Sequence, residues 1–404
     1  MSTSLLYHGF GIRGYHYTRT DFGDGRVTFS IRQEPSTCRC SACRSADVIH
    51  RGEVPRTFLS VPIGSKPTAV TLRVPRVECR GCRAARQVRL RFADPRWTYT
   101  RAFERYVIEM GRRMTILSLA VHLGVGWDLI KDILKRDLSR RYAKPKLKHL
   151  TRIAIDEFAV AKGHRCMTTV LDLESGAVVF VGDGKAASAL RPFWKRLRPS
   201  GAKIEAVAMD MSAAYRKAVR ENLPRALIVF DHFHISKLFN EKLTELRRDL
   251  HRELTDGLGK RVLKGVRWLI LKDPANLDED KDEKRRLKEA LKLNEPLATA
   301  YYMKEELRWF WEQPGKAFAT SFLDGWLRRA QASGVKVLQR MAKALALYRS
   351  GLLAYYEAMI TSGPLEGTNN KIKVLKRVAY GYRDHEFFKL KILSLHETRY
   401  ELIG

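Results

Sequence analysis

Acidic residues are scarce in this sequence relative to basic ones, long apolar runs are missing, and cysteine is sparse. Asp and Glu number 44 against 75 Lys and Arg, a formal net charge of +31 over 404 residues. Such an imbalance points to a polyanionic partner, because each phosphate that is neutralised releases condensed counterions. A ribosomal-type partner or a membrane surface would satisfy the charge alone, and nucleic acid is the preferred reading. No stretch approaches about 18 uninterrupted apolar residues, which excludes a membrane-spanning helix. Met1 to Gly14 lacks the basic-then-apolar order of a secretory signal. The expected location is therefore cytoplasmic and nucleoid-associated, with no membrane partner. No repeat of fixed period is present, which excludes a solenoid. What is present suffices for several packed domains: 45% hydrophobic and 10% aromatic residues rule out a disordered chain.

The six cysteines fall at 38, 40, 43, 79, 82 and 166. In a reducing compartment, clustered cysteines indicate metal rather than disulfides. Cys40-Ser41-Ala42-Cys43 and Cys79-Arg80-Gly81-Cys82 are two C-x2-C knuckles. Each turn sets two thiolates on one side of a tight loop, and two turns supply the four tetrahedral ligands of a structural Zn²⁺. Free thiols or a redox pair are the alternative. Cys38 is a spare thiol that competes as a ligand, so the ligand set stays open. Cys166 lies in an apolar run and reads as a small buried hydrophobe. Arg39, Arg44, Arg80, Arg83 and Arg86 dress the knuckles, either as DNA contacts or as a solvated basic face. Upstream, Tyr15–Thr20 and Arg26–Arg32 flank Gly23-Asp24-Gly25, a hairpin signal, and Ala69–Val74 reads as a strand.

From residue 100 to 142 the pattern turns helical. Leu119, Ala120 and Leu123 recur at helical spacing, Gly124 provides a turn with Val125 packed under it, and Trp127, Ile130 and Leu134 continue a buried face on a second helix. This is a helix-turn-helix pattern whose second helix would enter the major groove. An ordinary helical hairpin is the bland alternative. Lys131, Lys135 and Arg136, with neighbouring Arg112, Arg113, Arg140 and Arg141, favour DNA.

A β-rich stretch follows. Arg152–Val160, Cys166–Leu173 and Ala177–Val181 read as an antiparallel meander, with Ala161-Lys162-Gly163-His164 as its first turn. Ala186–Leu197 reads as a helix, Ile204–Asp210 as a strand, Ala213–Asn222 as a helix and Ala226–Asp231 as a strand. The order βββαβαβ, with helices after it, resembles the ribonuclease H-like fold. Asp156 lies mid-strand, a costly place for a charge unless it is paired or binds metal. Asp210 ends the fourth strand, which neighbours the first in that fold. A third acid must come from a later helix. Glu366 fits, because Pro364 opens a helix that Lys371–Arg377 continues. Three carboxylates around two Mg²⁺ (or Mn²⁺) ions activate a nucleophile and stabilise the leaving oxygen of an in-line displacement. Glu157 points to the opposite sheet face and is the weaker candidate. Asp172 and Asp183 sit near turns and read as solvated. Residues 233–360 read as mainly helical, and the run Leu277–Arg286 as a solvated loop or helix end. Trp268, Trp309, Trp311 and Trp326 lie within this helical part. Core positions are the preferred reading, with stacking on unpaired bases the alternative.

The stretches at 155–176, 206–237 and 362–384, together with the cysteine ribbon and the helix-turn-helix, resemble the ISL3 family of bacterial insertion-sequence transposases over nearly the whole chain. The resemblance implies a multidomain α/β protein: a β-hairpin and zinc-ribbon domain (1–95), a helix-turn-helix domain (96–148), a ribonuclease H-like core in two parts (149–235 and 359–404) and a helical insertion (236–358). It implies Asp156, Asp210 and Glu366 as catalytic acids. Asp231 and His234 resemble an Asp-x-x-His signature that braces the site or touches DNA; a strand-end Asp and a helix-capping His is the alternative. The basic residues Lys371, Lys373, Lys376 and Arg377 are assigned to double-stranded DNA along with Arg80 and Arg83. Pairing two element ends implies a homodimer or higher oligomer. The competing expectations are a nuclease of the same fold and a non-catalytic DNA-binding regulator.

Overall fold

The structure, a computed structural model, describes residues 5–161, 165–255 and 257–396. The turn expected at Ala161-Lys162-Gly163-His164 lies outside the described residues from 162 to 164. The chain divides into two compact units. One reaches to Ala143 and includes Val378–Gly381; the other holds Lys144–Arg377 and the chain from Tyr382 on.

The first unit begins with α1 (Leu5–Phe10), β1 (Tyr15–Gly23) and β2 (Arg26–Gln33). Gly23 pairs with Arg26, so Asp24-Gly25 is a two-residue hairpin turn with φ of 51° and 69°. A short polar residue followed by glycine tolerates that left-handed backbone. β3 (Val48–Ile63) and β4 (Lys66–Cys79) form a long antiparallel ribbon, and β5 (Ala85–Gln87) pairs with β4. β2 lies parallel to β4, giving the order β1-β2-β4-β3. Val70, Leu72 and Val74 alternate along β4 into a core with Phe29, Phe58 and Phe92.

Three helices follow: α2 (Arg101–Met110), α3 (Ile116–Leu123) and α4 (Trp127–Tyr142). Thr100 and Thr115 accept N–H bonds from Phe103 and Ser118 and so cap the first two. Gly124 closes α3 with φ of 62°. Leu119, Ala120, Leu123, Ile130 and Leu134 are buried, as their spacing predicts. Trp127 departs from expectation and is 50% exposed. It is the first residue of α4, one turn before the helix meets the core at Ile130, and the Lys131 ammonium lies 5.2 Å from its ring centroid.

The second unit contains β6 (Arg152–Ala161), β7 (Arg165–Asp172), β8 (Val178–Asp183), α5 (Arg191–Leu197), β9 (Ala206–Met209), α6 (Ala213–Asn222) and β10 (Leu227–Phe230). β6, β7 and β8 form the antiparallel meander. β9 lies parallel to β6 and β10 parallel to β9, giving the order β10-β9-β6-β7-β8. Two of the acids expected to be solvated part company. Asp183 is exposed and pairs with Lys389 at 2.8 Å, whereas Asp172 is fully buried. Asp172 accepts N–H bonds from Glu174 and Ser175, both at 3.2 Å, and so folds the turn back on its own carboxylate. Cys166 is only part-buried, because it sits at the start of β7.

Helices dominate thereafter: α7 (His232–Glu253), α8 (Gly257–Gly265), α9 (Glu283–Lys292), α10 (Glu295–Arg308), α11 (Lys316–Ala332), α12 (Lys336–Leu353), α13 (Tyr355–Ala358), α14 (Gly363–Val378) and α15 (His385–Leu393). Both sheet faces are covered. Ile153, Ile155, Val170 and Met209 share a core with α5, α6 and the helices from α7 to α12. Ala154, Phe158, Leu171 and Ala208 pack with Leu365 and Ile372 of α14 and with Phe388 and Ile392 of α15. Trp326 is fully buried and donates its indole N–H to the Met303 carbonyl at 2.9 Å, as a core tryptophan should. Trp268 and Trp309 are instead exposed. No helix among the described residues is long and apolar enough to cross a membrane.

Gly351 of α12 lies against β10. A Cβ there would stand 2.3 Å from the Phe230 ring and 3.2 Å from the Ile228 carbonyl oxygen. Gly351→Ala should push helix and strand apart and cost about 1–3 kcal/mol, read as a lower calorimetric midpoint. An unchanged midpoint would contradict this packing.

Candidate active site

The sheet register sets the geometry. Ile155 of β6 pairs with Met209 of parallel β9. The next residue on each chain is an acid, so Asp156 and Asp210 stand abreast. Side chains alternate along β6, which turns Asp156 toward the face covered by α14 and α15 and Glu157 toward the opposite face. Burial, with the charge of nearby Glu157 adding to it, pushes the Tyr215 phenol of α6 above its ordinary range there, and the Tyr215 hydroxyl meets Thr168 Oγ1 at 2.8 Å. Asp210 accepts the Ser212 N–H at 3.0 Å in the turn that opens α6.

Asp156 is part-buried. Its Oδ1 accepts the Glu157 N–H at 2.7 Å, and its Oδ2 accepts the Asn369 side-chain amide at 2.8 Å. Burial pushes its pKa up to about 6; the Glu157 N–H and the His234 charge oppose the rise, while the charges of Asp210 and Glu157 add to it. Asn369 lies on α14, one turn after Glu366, is buried, and leaves its own Oδ1 without a hydrogen-bond partner. A buried acceptor left open beside a carboxylate is an invitation to a cation or its water. The sequence reading missed Asn369, and its place three residues after the third acid is the signal that would have found it.

Glu366 is exposed in the first turn of α14. Its charge reaches His232, whose pKa is raised, first by its bond to Asp231. The three acids are not drawn together as closely as the cysteines are. Among the described residues, the four cysteines are the group whose ligand atoms all lie within 4.8 Å of one another.

Asp231 follows β10 and is almost fully buried. Its Oδ1 accepts from the Phe233 N–H at 3.3 Å and from His232 Nδ1 at 3.1 Å, and its Oδ2 accepts the Ser362 hydroxyl. Burial raises its pKa, and the bonds from His232 and Ser362 outweigh that and hold it below the ordinary value. Asp231 therefore ties the start of α7 to the residue preceding α14. Its partner is His232, adjacent in sequence, while His234 sits close enough to Asp156 to lower that acid's pKa.

In the first unit, Cys40, Cys43, Cys79 and Cys82 converge, with Cys40 and Cys82 Sγ atoms 3.6 Å apart and those of Cys43 and Cys79 3.5 Å apart. The two knuckles are built alike. Arg44 and Arg83 donate their N–H to the Cys40 and Cys79 carbonyls at 3.0 and 2.8 Å, each with positive φ. Cys38 turns away into the apolar core and is 1% exposed.

Several basic residues are already engaged. Arg136 donates to the Tyr99 hydroxyl at 2.5 Å and stacks over Trp97 at 4.5 Å, and Lys376 donates to the Ala159 and Val160 carbonyls, both at 3.1 Å. Arg80 lies 3.7 Å from Asp47, and Lys373 donates to Asn370 at 3.0 Å. Lys131 and Lys135 are part-exposed on α4, and Arg83, Lys371 and Arg377 are exposed.

A family described as "Transposase" matches residues 153–392, and one described as "Helix-turn-helix domain of transposase family ISL3" matches residues 88–138. The chain is 34% identical over 397 residues to the transposase for insertion sequence element IS1001 of Bordetella parapertussis, covering 95% of each. It is 27% identical over 423 residues to the transposase for IS1557 of Mycobacterium tuberculosis, covering 97% of this chain and 94% of that one. A solved Drosophila P element transposase strand transfer complex aligns with a TM-score of 0.35 at 11% identity, over 65% of this chain and 80% of that one, too loosely to carry an argument.

A raised carboxyl keeps its proton in the folded state where the unfolded chain has lost it. The protonated site therefore favours folding, and that advantage disappears as pH rises from the ordinary carboxylate range through about 6. Asp156→Asn mimics the protonated acid. In EDTA the variant should gain up to about 3 kcal/mol at pH 8 and close to nothing at pH 4, measured by urea unfolding. No gain at pH 8 would contradict the buried placement.

Proposed function

The chain belongs to the ISL3 family of transposases, which cut and join DNA, and from that premise we propose that Asp156, Asp210 and Glu366 carry its chemistry. The observation that bears most weight is the register of β6 on β9, which sets Asp156 beside Asp210, together with the amide bond from Asn369 on the helix of Glu366. The strand order and the helices on both faces support a ribonuclease H-like core at 149–235 and 359–404, interrupted by a helical insertion at 236–358.

These residues offer hard oxygen ligands: three carboxylates and the open Oδ1 of Asn369. That donor set suits Mg²⁺ or Mn²⁺. Two such ions, when bound, lower the pKa of a water and neutralise charge on the leaving oxygen. Asp156 and Asp210 would hold these ions from adjacent strands, and Glu366 would hold them from α14. Asn369 keeps the Asp156 carboxylate oriented. Asp231 fixes the start of α7 and, through Ser362, the approach to α14. Water attacks a phosphodiester at each element end and releases a 3′-OH. That hydroxyl then attacks target DNA, and each step exchanges one phosphorus–oxygen bond for another. His234, beside Asp156, is accessory to this site.

Cys40, Cys43, Cys79 and Cys82 form the zinc site at 1–95, with no position left for water, and the burial of Cys38 supports this choice of four. Residues 96–148 bind the terminal repeats with α4 in the major groove. Lys131 and Lys135 on α4, Arg80 and Arg83 on the knuckles, and Lys371, Lys373 and Arg377 on α14 contact phosphate. Arg136 and Lys376 act largely through the protein contacts they already make. Pairing of two ends calls for at least two chains, and the substrate is DNA of the nucleoid.

Asp156→Asn or Glu366→Gln should lower strand cleavage in Mg²⁺ by more than about 100-fold while element ends still shift on a gel. Full cleavage by either variant would refute the assignment. Separately, Cys43→Ser should lose bound zinc and the cooperative unfolding of the first unit, whereas Cys38→Ser should keep both. Zinc retained by Cys43→Ser would overturn the ligand set.

A further inference from the structure

β1 is an edge strand with an open outer side. Among the described residues it pairs with β2 alone, and none of its nine residues is buried. An edge of this length offers unpaired N–H and C=O groups to any strand that fits it.

The hairpin decides which groups those are. Gly23 and Arg26 flank the two-residue turn and so form a hydrogen-bonded pair. Bonded and non-bonded pairs alternate away from the turn. Asp21 and Arg19, opposite Thr28 and Ser30, therefore aim their backbone groups at β2, while Phe22 and Thr20, opposite Val27 and Phe29, aim theirs outward. The side chains divide in the same way. Arg19 and Asp21 share one face, where they pair at 3.1 Å. Phe22 and Thr20 share the other. The bulge after Tyr17 puts that ring on their side, with its hydroxyl 2.9 Å from Thr20 Oγ1. This second face is the core face, on which Val27, Phe29 and Ile31 of β2 are buried. The core runs out at β1, leaving Phe22 80% and Tyr17 53% exposed.

A second copy of the same strand completes this edge, and charge selects its register. Antiparallel pairing about a two-fold axis sets one residue opposite itself. Centred on Arg19 or on Asp21, it opposes like charges directly, which is unfavourable. Centred on Phe22, it runs into the turn after one residue. Centred on Thr20, it uses the outward N–H and C=O groups of Thr20 and sets Arg19 of each copy against Asp21 of the other. Phe22 then lies against the bulge of the second copy, on the face that holds its Tyr17. We propose that two chains associate through their β1 strands, antiparallel and with Thr20 on the axis. Such a contact closes on itself instead of continuing into a filament, and the bulge at either end limits further strand addition. The pairing does not depend on the carboxylate assignment. It gives each dimer two knuckle and helix-turn-helix modules, one per copy.

Sedimentation equilibrium of the full chain without DNA tests this at about 0.15 M salt, where screening over roughly 8 Å mutes the overall positive charge but spares groups directly opposed. The wild type should reach a dimer. Arg19→Asp gathers only acids at the axis and Asp21→Arg only cations, so each variant alone should associate about tenfold more weakly. Mixed in equal amounts, the two variants should associate as the wild type does, because the acids of one meet the cations of the other. Each has lost the pair between residues 19 and 21 of its own chain, so recovery on mixing reports contact between chains. A wild type that stays monomeric, undiminished association of either variant alone, or no recovery on mixing would overturn the proposal. Loss of element-end binding by Arg19→Asp with association unchanged would assign this edge to DNA and overturn it as well.

Discussion

A carboxylate in the middle of a β-strand, facing a covered side of the sheet, is the constraint on which the second unit turns. Removing a charge from water is costly unless something opposite in sign or rich in donors meets it. Asp156 has one backbone N–H, one side-chain amide and the neighbouring charge of His234, against the repulsion of Asp210 and Glu157. The balance leaves the group unsettled, with its pKa pushed up to about 6. Such frustration, kept in an otherwise well-packed sheet, marks Asp156 as a candidate functional group.

The rest of the unit holds that arrangement in place. Parallel pairing of β6 and β9 needs a crossover, and α5 packs on the sheet to provide it. Asp231 then links β10, α7 and Ser362 through a single buried carboxylate. Gly351 lets α12 approach the Phe230 ring, so the long helical region is seated on the same sheet that carries the acids. Two distant stretches of sequence, one before residue 235 and one after 358, thereby meet at Asn369 and Asp156.

Much of this was legible in the sequence, because the strands are short apolar runs bounded by turn residues and the acids stand at their characteristic places within them. The βββαβαβ order, the hairpin at Asp24-Gly25, the helix-turn-helix and the two cysteine knuckles all follow from local pattern. What periodicity did not reveal depends on partners far away in sequence. Asn369 acquires meaning only beside Asp156, 213 residues earlier. His232 was passed over for His234 because a spacing motif does not say which imidazole meets the carboxylate. Asp172 looked solvated because it lies at a turn, yet that turn buries it. Trp127 looked buried because the helical face was extrapolated one turn too far. Cys38 stayed open as a competing ligand until its apolar neighbours were known.

The central claim is that the Asp156–Asp210 pair and Glu366 hold divalent cations at DNA ends, and counting those cations tests it most directly. Electron paramagnetic resonance of Mn²⁺ titrated into the complex with precleaved element ends should give two bound ions per active site in the wild type and a clear loss in Asp210→Asn, with the DNA still bound. The same two ions retained in Asp210→Asn, Asp156→Asn and Glu366→Gln alike would contradict the account.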